Sequence, residues 1–161
     1  MLVICILALP LVFVAVALVL NDLPWSSPPG VITRLVQYLG NNDIRTSVDS
    51  TYPELRTRVY QLKEETLFDL ARKAVSELGW EIIKDDRETL SIHALVTTRL
   101  FRFKDDVVIT ITDDGMDKYI VNLHSSSRVG KGDLGANTRH VINFYNTLDR
   151  IVSNKDKKTP Q

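Results

Sequence analysis

The sequence predicts an α+β fold: a single antiparallel β-sheet with two helices packed on one face, plus an N-terminal transmembrane helix. Three observations carry that expectation. Residues 1–20, MLVICILALPLVFVAVALVL, hold no charged side chain, and every charge of the chain follows them. Two later stretches repeat apolar residues at helical spacing, and the chain between them alternates apolar and polar residues with period two. Short connections make successive strands antiparallel, and two apolar helix stripes need a sheet face to cover.

The chain has 161 residues and a formal charge of zero, which fits one domain plus an appendage. Without a basic excess, nucleic acid is not an implied partner. The single Cys5 excludes an internal disulfide and a zinc knuckle. As a helix, residues 1–20 would be about 30 Å long, enough to cross a bilayer. The alternative is a cleaved signal peptide with Ala15-Val16-Ala17 as its processing site, but the run lacks a basic n-region. A retained single-pass anchor is the expectation, with membrane lipid as partner of residues 1–20. The free amino terminus and Asp22 lean towards an extracytoplasmic body.

Residues 21–43 read as a linker that carries a short amphipathic helix. NDLPWSSPPG is rich in proline and serine, and Trp25 suits either the headgroup zone or the body. Val31, Leu35, Tyr38 and Leu39 then share a helix face, with Gly40 as the stop, and this helix lies along the membrane or against the body. The globular domain is expected over 44–153. An extended stretch, Arg56 to Leu62, precedes the clearest helix, 66–78. Its Leu67, Leu70, Ala71, Ala74, Val75 and Leu78 form one stripe. Thr66 and Asp69 are placed as a capping box, and Gly79 ends the helix.

Strands follow over Trp80–Lys84, Leu90–Thr97, Leu100–Thr112 and Tyr119–Leu123, with turns at Asp85–Glu88 and Asp113–Gly115. A second helix, roughly 134–152, carries Val141, Phe144, Tyr145, Leu148 and Val152. Residues 154–161 read as a frayed, charged tail.

Between the last strand and the last helix lies HSSSRVGKGDLGANTR, residues 124–139, the candidate site. Its serines, Ser125 and Ser127 included, satisfy backbone groups locally and favour turns. Arg128 offers a five-donor fork for carboxylate or phosphate. Gly130, Gly132 and Gly135 allow positive φ or close approach. Lys131 adds a charge, Asp133 suits a helix N-cap, and Asn137 caps or braces backbone. The literal G-x-G-x-x-G is not a dinucleotide fingerprint, because no further parallel strand with an acid follows. Lys131 is followed by Gly132, which excludes a P-loop. No Gly-x-Ser-x-Gly elbow supports a hydrolase.

Asp105 and Asp106 are adjacent on a strand and point to opposite faces. One of them is expected to pair with Arg128. His93, His124 and His140 lack metal-like spacing and read as solvent-facing, so neither a metal nor a cofactor is expected.

LFRFKDDVV over Leu100–Val108, followed by SSSRVGKGDLGAN over Ser125–Asn137, resembles the domain-of-unknown-function family 1499. The pattern is a Phe-x-Asp-Asp strand start and a Ser-x-Ser-Arg-x-Gly-x-x-Asp-Leu-Gly-x-Asn corner, and the resemblance spans about Tyr52 to Val152. His124 and His140 stand where the family usually has arginine. The resemblance implies no known reaction. It does imply bacterial or plastid relatives, some with an N-terminal membrane segment.

Two functions are compatible with these readings. The first is a membrane-anchored, non-catalytic interaction module or accessory subunit whose partner is another membrane protein. The second is a small-anion-binding or hydrolytic enzyme domain that uses the Arg128/Lys131/Asp133 corner and the helix N-terminus.

Overall fold

The computed structural model describes residues 12, 14–98 and 102–157. The expected transmembrane helix falls mainly outside these. Residues 12 and 14–20 are helical, and among the described residues no helix is long and apolar enough to cross a membrane.

The described elements run α1 (Val31–Gly40), β1 (Asp43–Arg45), a 3-10 turn (Pro53–Leu55), β2 (Arg58–Tyr60), α2 (Glu64–Glu77), β3 (Glu81–Asp86), β4 (Ser91–Thr97), β5 (Lys104–Gly115), β6 (Lys118–Ser127) and α3 (Ala136–Asp156). All strands join one antiparallel sheet in the order β1-β6-β5-β4-β3, and β2 also pairs with β6. β1 lies beside Ser126 to His124 and β2 beside Val121 to Tyr119, so two short strands share the outer edge of β6.

Alternation puts Ile92, Ala94, Val96, Val107, Ile109, Ile111, Val121 and Leu123 on one buried face. Leu67, Phe68, Ala71, Ala74 and Val75 of α2 and Val141, Phe144, Tyr145, Leu148 and Ile151 of α3 join the same core. The two helices also touch each other. Both therefore cover one face of the sheet, as the two stripes require.

Several boundaries differ from the sequence reading. α2 starts at Glu64 with Lys63 before it and no side-chain cap, so the Thr66–Asp69 box does not form. Asp69 instead accepts from Arg87 Nη2 at 2.5 Å, while Glu64 and Glu65 supply the negative charge that the first turn favours. Strand β5 runs on to Gly115, and the turn falls at Met116 and Asp117, both with positive φ. Ser125 and Ser127 are not in a turn. They extend β6, paired with Val107 and Asp105. α3 continues to Asp156, so the expected tail is helical in its first part, while 158–161 lie outside the described residues.

The stretch expected as a linker is docked on the body. Arg34 of α1 is completely buried and paired with Glu54 through both carboxylate oxygens. It also donates to Tyr38 Oη (2.9 Å) and to the carbonyls of Ser27 (3.0 Å) and Pro28 (2.5 Å). Trp25 packs edge-on against the buried Tyr38 ring, with centroids 5.3 Å apart. Val31, Leu35 and Leu39 of α1 are exposed and do not face the body.

Candidate functional site

The start of β5, the end of β6 and the first turn of α3 meet at the glycine corner. Asp105 and Asp106 leave the sheet on opposite faces, as strand geometry demands. On the open face, Asp106 accepts from Arg128 Nε and Nη2, both at 2.7 Å, and lies 2.9 Å from His93 Nε2. The Arg128 guanidinium, with the His93 ring beside it, holds the Asp106 carboxyl down at about 2. This pair is not buried: the Arg128 side chain is 47% exposed.

On the helix face, Asp105 is 1% exposed and its Oδ2 lies 2.9 Å from His140 Nε2. Its Oδ1 is buried and has no hydrogen-bond partner among the described residues. His140 is not solvent-facing. It is buried, with Trp80 edge-on against its ring at 5.7 Å. His124 in turn pairs with Asp43 at 2.6 Å, so all three histidines serve carboxylates. The Asp105–His140 pair borders a cleft of about 810 Å³ that Leu78, Trp80, Leu95 and Phe103 help to line. Chemically, the free Asp105 oxygen can accept one more donor. No cluster of three metal-ligating side chains occurs among the described residues.

Asn137 is the hub of the corner. Its Oδ1 accepts from the buried Ser125 hydroxyl (2.6 Å), and its Nδ2 donates to the Asn42 carbonyl (2.9 Å) and the Ser127 hydroxyl (3.0 Å). These bonds explain why the serines stay on the strand: a partner across the corner takes their hydroxyls. Asp133 caps α3 from two residues before the formal N-cap, Gly135. Its two oxygens accept from Gly135 N and Asn137 N, each at 2.8 Å. Burial pushes the Asp133 carboxyl up, opposed by those N–H groups, and the charge of Asp105 adds to the rise.

The glycines serve close approach. A Cβ on Gly132 would fall within the carbonyl of Leu39 in α1, and one on Gly135 (φ +83) would meet the Leu23 side chain. Leu134 N donates to Tyr38 O (2.9 Å) and Asp133 N to Asn41 O (3.2 Å). Asn21 Nδ2 donates to Leu134 O (2.9 Å), and Asn42 Nδ2 to Gly130 O (2.6 Å). The corner is thus a joint that fastens both the end of the N-terminal segment and α1 to the sheet. Ser125, Ser127, Asp133, Gly135 and Asn137 meet there; Arg128 and Asp106 brace the opposite side of the sheet. Gly130 takes the positive φ expected of it (+94) and gives its carbonyl to Asn42, and Lys131 is exposed.

The sequence reading missed the other half of the joint: Asn21, Leu23, Leu39 and Asn42. A signal was present in Gly40-Asn41-Asn42, an amide-rich stop after an apolar helix, and in the lone Arg34 four residues before Tyr38.

The family model described as a protein of unknown function, DUF1499, matches residues 24–148. It reaches back through α1, well before Tyr52, where the resemblance read from the motifs begins. Among curated proteins none matches the chain. A solved structure, TTHA0849 from Thermus thermophilus, is similar over 70% of this chain and 98% of its own, with 12% identity and a TM-score of 0.43.

Proposed function

The chain belongs to the DUF1499 family, whose description assigns no reaction, and from its own geometry we propose that it is a membrane-anchored, non-catalytic interaction module, an accessory subunit that partners another membrane protein. The carrying observation is the joint. A flexible tether would leave the chain after an apolar run free; here Tyr38, Leu39 and Asn41 meet the corner backbone at Gly132–Leu134, and the Asn21 and Leu23 side chains reach Leu134 and Gly135. That arrangement suits a domain held at a set distance and orientation from lipid, with residues 1–20 as the spanning segment and the body outside the cytoplasm.

The alternative, an anion-binding or hydrolytic corner, is less well supported. Asp133 already occupies the N–H groups that an anion would use, Arg128 is committed to Asp106, and of the corner's charges Lys131 alone remains.

The test is to express the full chain, wash membranes with alkaline carbonate, and determine the mass of the mature protein. The expected result is a carbonate-resistant protein that retains Met1 and co-purifies with a membrane protein. A soluble product beginning at Leu18 would overturn the reading.

A further inference from the structure

α1 is built inside out. A helix on the surface of a water-soluble domain turns its apolar residues inward and its charges outward. In Val31–Gly40 the only charged residue, Arg34, is 0% exposed, whereas Ile32 is 80%, Val36 68% and Val31 55% exposed. Leu35 and Leu39 are also exposed. This arrangement is not an accident of a loose helix. Arg34 is held by Glu54, Tyr38 and two carbonyls, and the C-terminal turn of α1 is clamped by the corner. Burying an arginine is costly unless it is paired, so the orientation is firmly specified.

We propose that this outer face of α1 lies in the boundary between lipid headgroups and acyl chains, giving the domain a second, peripheral contact with the membrane that residues 1–20 enter. The inference rests on the anchored reading above. Three observations favour lipid as the occupant. The uncharged run ends at Leu20, with only ten residues between it and Val31, and the corner that holds α1 also holds Asn21 and Leu23. Val19 and Leu20, at the end of that run, are themselves 74% and 64% exposed. On the anchored reading the apolar run is used in crossing the bilayer, its end meeting the body at Ala17, which is 5% exposed and lines the cleft, so it does not also cover α1.

A second copy of the chain is a poorer occupant. One face of a ten-residue helix, about 15 Å long, offers a few hundred Å² at most. A standard interface needs about 800 Å² from each partner. With no Lys or Arg on its outer face, α1 would enter lipid by apolar burial alone, so zwitterionic and anionic membranes should serve equally.

The experiment uses the full chain with Cys5→Ser and one new cysteine, Val36→Cys, carrying a polarity-sensitive fluorophore. Val59→Cys, at an exposed position of β2 (51%), is the control. Each is reconstituted in phosphatidylcholine vesicles, and carbonate resistance is checked first. The expected result is a blue shift at Val36, quenching there by brominated lipid, and loss of quenching by aqueous iodide, with none of these at Val59. Iodide quenching at Val36 in carbonate-resistant protein would overturn this inference and leave the anchor standing. Shielding from iodide without quenching by brominated lipid would mean that a protein surface covers α1, which also overturns it. Failure to enter vesicles at all would overturn the anchor and this inference together.

Discussion

Gly132→Ala tests the joint at its tightest point. The new Cβ would fall within the Leu39 carbonyl, a backbone group that cannot rotate away. If the loop holds its place, overpacking costs about 1–3 kcal/mol. If it withdraws, the bonds from Leu134 N to Tyr38 O (2.9 Å) and from Asp133 N to Asn41 O (3.2 Å) are lost, each worth about 1 kcal/mol. Both routes converge on about 2 kcal/mol, which corresponds to roughly thirtyfold easier local opening. Native-state hydrogen exchange reads this directly. The amides of Asp133 and Leu134 should exchange faster by about that factor, while those of Val107 and Ile109 in the sheet core should not change. Gly40→Ala is the control. Nothing lies within 4 Å of a Cβ there and the residue is helical, so the change should be neutral or stabilising by about 0.5–1 kcal/mol. Unaltered exchange at residues 133 and 134 in Gly132→Ala would refute the close approach on which the joint depends.

Glu54→Ala leaves Arg34 buried without its carboxylate and should cost about 3–5 kcal/mol, seen as a lower urea midpoint and faster proteolysis within residues 21–43. Asp133→Ala removes two N–H acceptors at the start of α3 and should cost about 1 kcal/mol. Arg128→Ala should cost less than that, because its pair with Asp106 is half-exposed and screened; urea unfolding of the two variants side by side ranks them. That order reverses what a buried Arg128 would require. The two carboxylates have opposite pH signatures. Asp106 is held at about 2, so its contribution is present above about 4 and is lost as pH falls through 2. Its side-chain carbon, followed by NMR, should titrate higher in Arg128→Ala. Asp133 is raised, so its contribution is present below about 4 and fades as pH rises through its folded value. The stability difference between wild type and Asp133→Asn should therefore shift against wild type as pH rises from about 4 towards neutrality.

The sheet and both packed helices were legible because their periods are long and unmixed: Val107, Ile109 and Ile111 can face only one way, and Leu67, Ala71, Ala74 and Val75 form one stripe. The corner was legible as a place, since so many small and special residues gather only there. Its use was not. Gly132 and Gly135 announce close approach, but what approaches them lies about 90 to 110 residues earlier, at Leu39 and Leu23. Periodicity found α1 but left its setting open for a physical reason: a stripe gives the angle of an apolar face but not the medium it meets. Only the partner of Arg34 settles that face, and Glu54 lies across a turn that no local pattern connects to it. Asp105 and His140 were hidden likewise. Adjacent acids on a strand must diverge, yet which one enters the core depends on register, and a one-residue slip would exchange them.

The shared edge of β6 has a consequence for how the chain is made. β1 and β2 are synthesised early but pair only with β6, and Asp43 lies roughly 80 residues before its partner Ser126. At about 5–20 residues per second, several seconds pass before that partner exists. During this interval residues 21–60 have neither their sheet edge nor the corner that clamps α1, and the apolar side chains of α1 have no finished domain behind them. The order of assembly is therefore fixed from the carboxyl side: β6 and the corner must form before the amino-terminal part of the domain can dock. A truncation before Tyr119 would leave β1 and β2 without a sheet partner, and one before Gly132 would leave α1 without its clamp, however complete the central hairpins are.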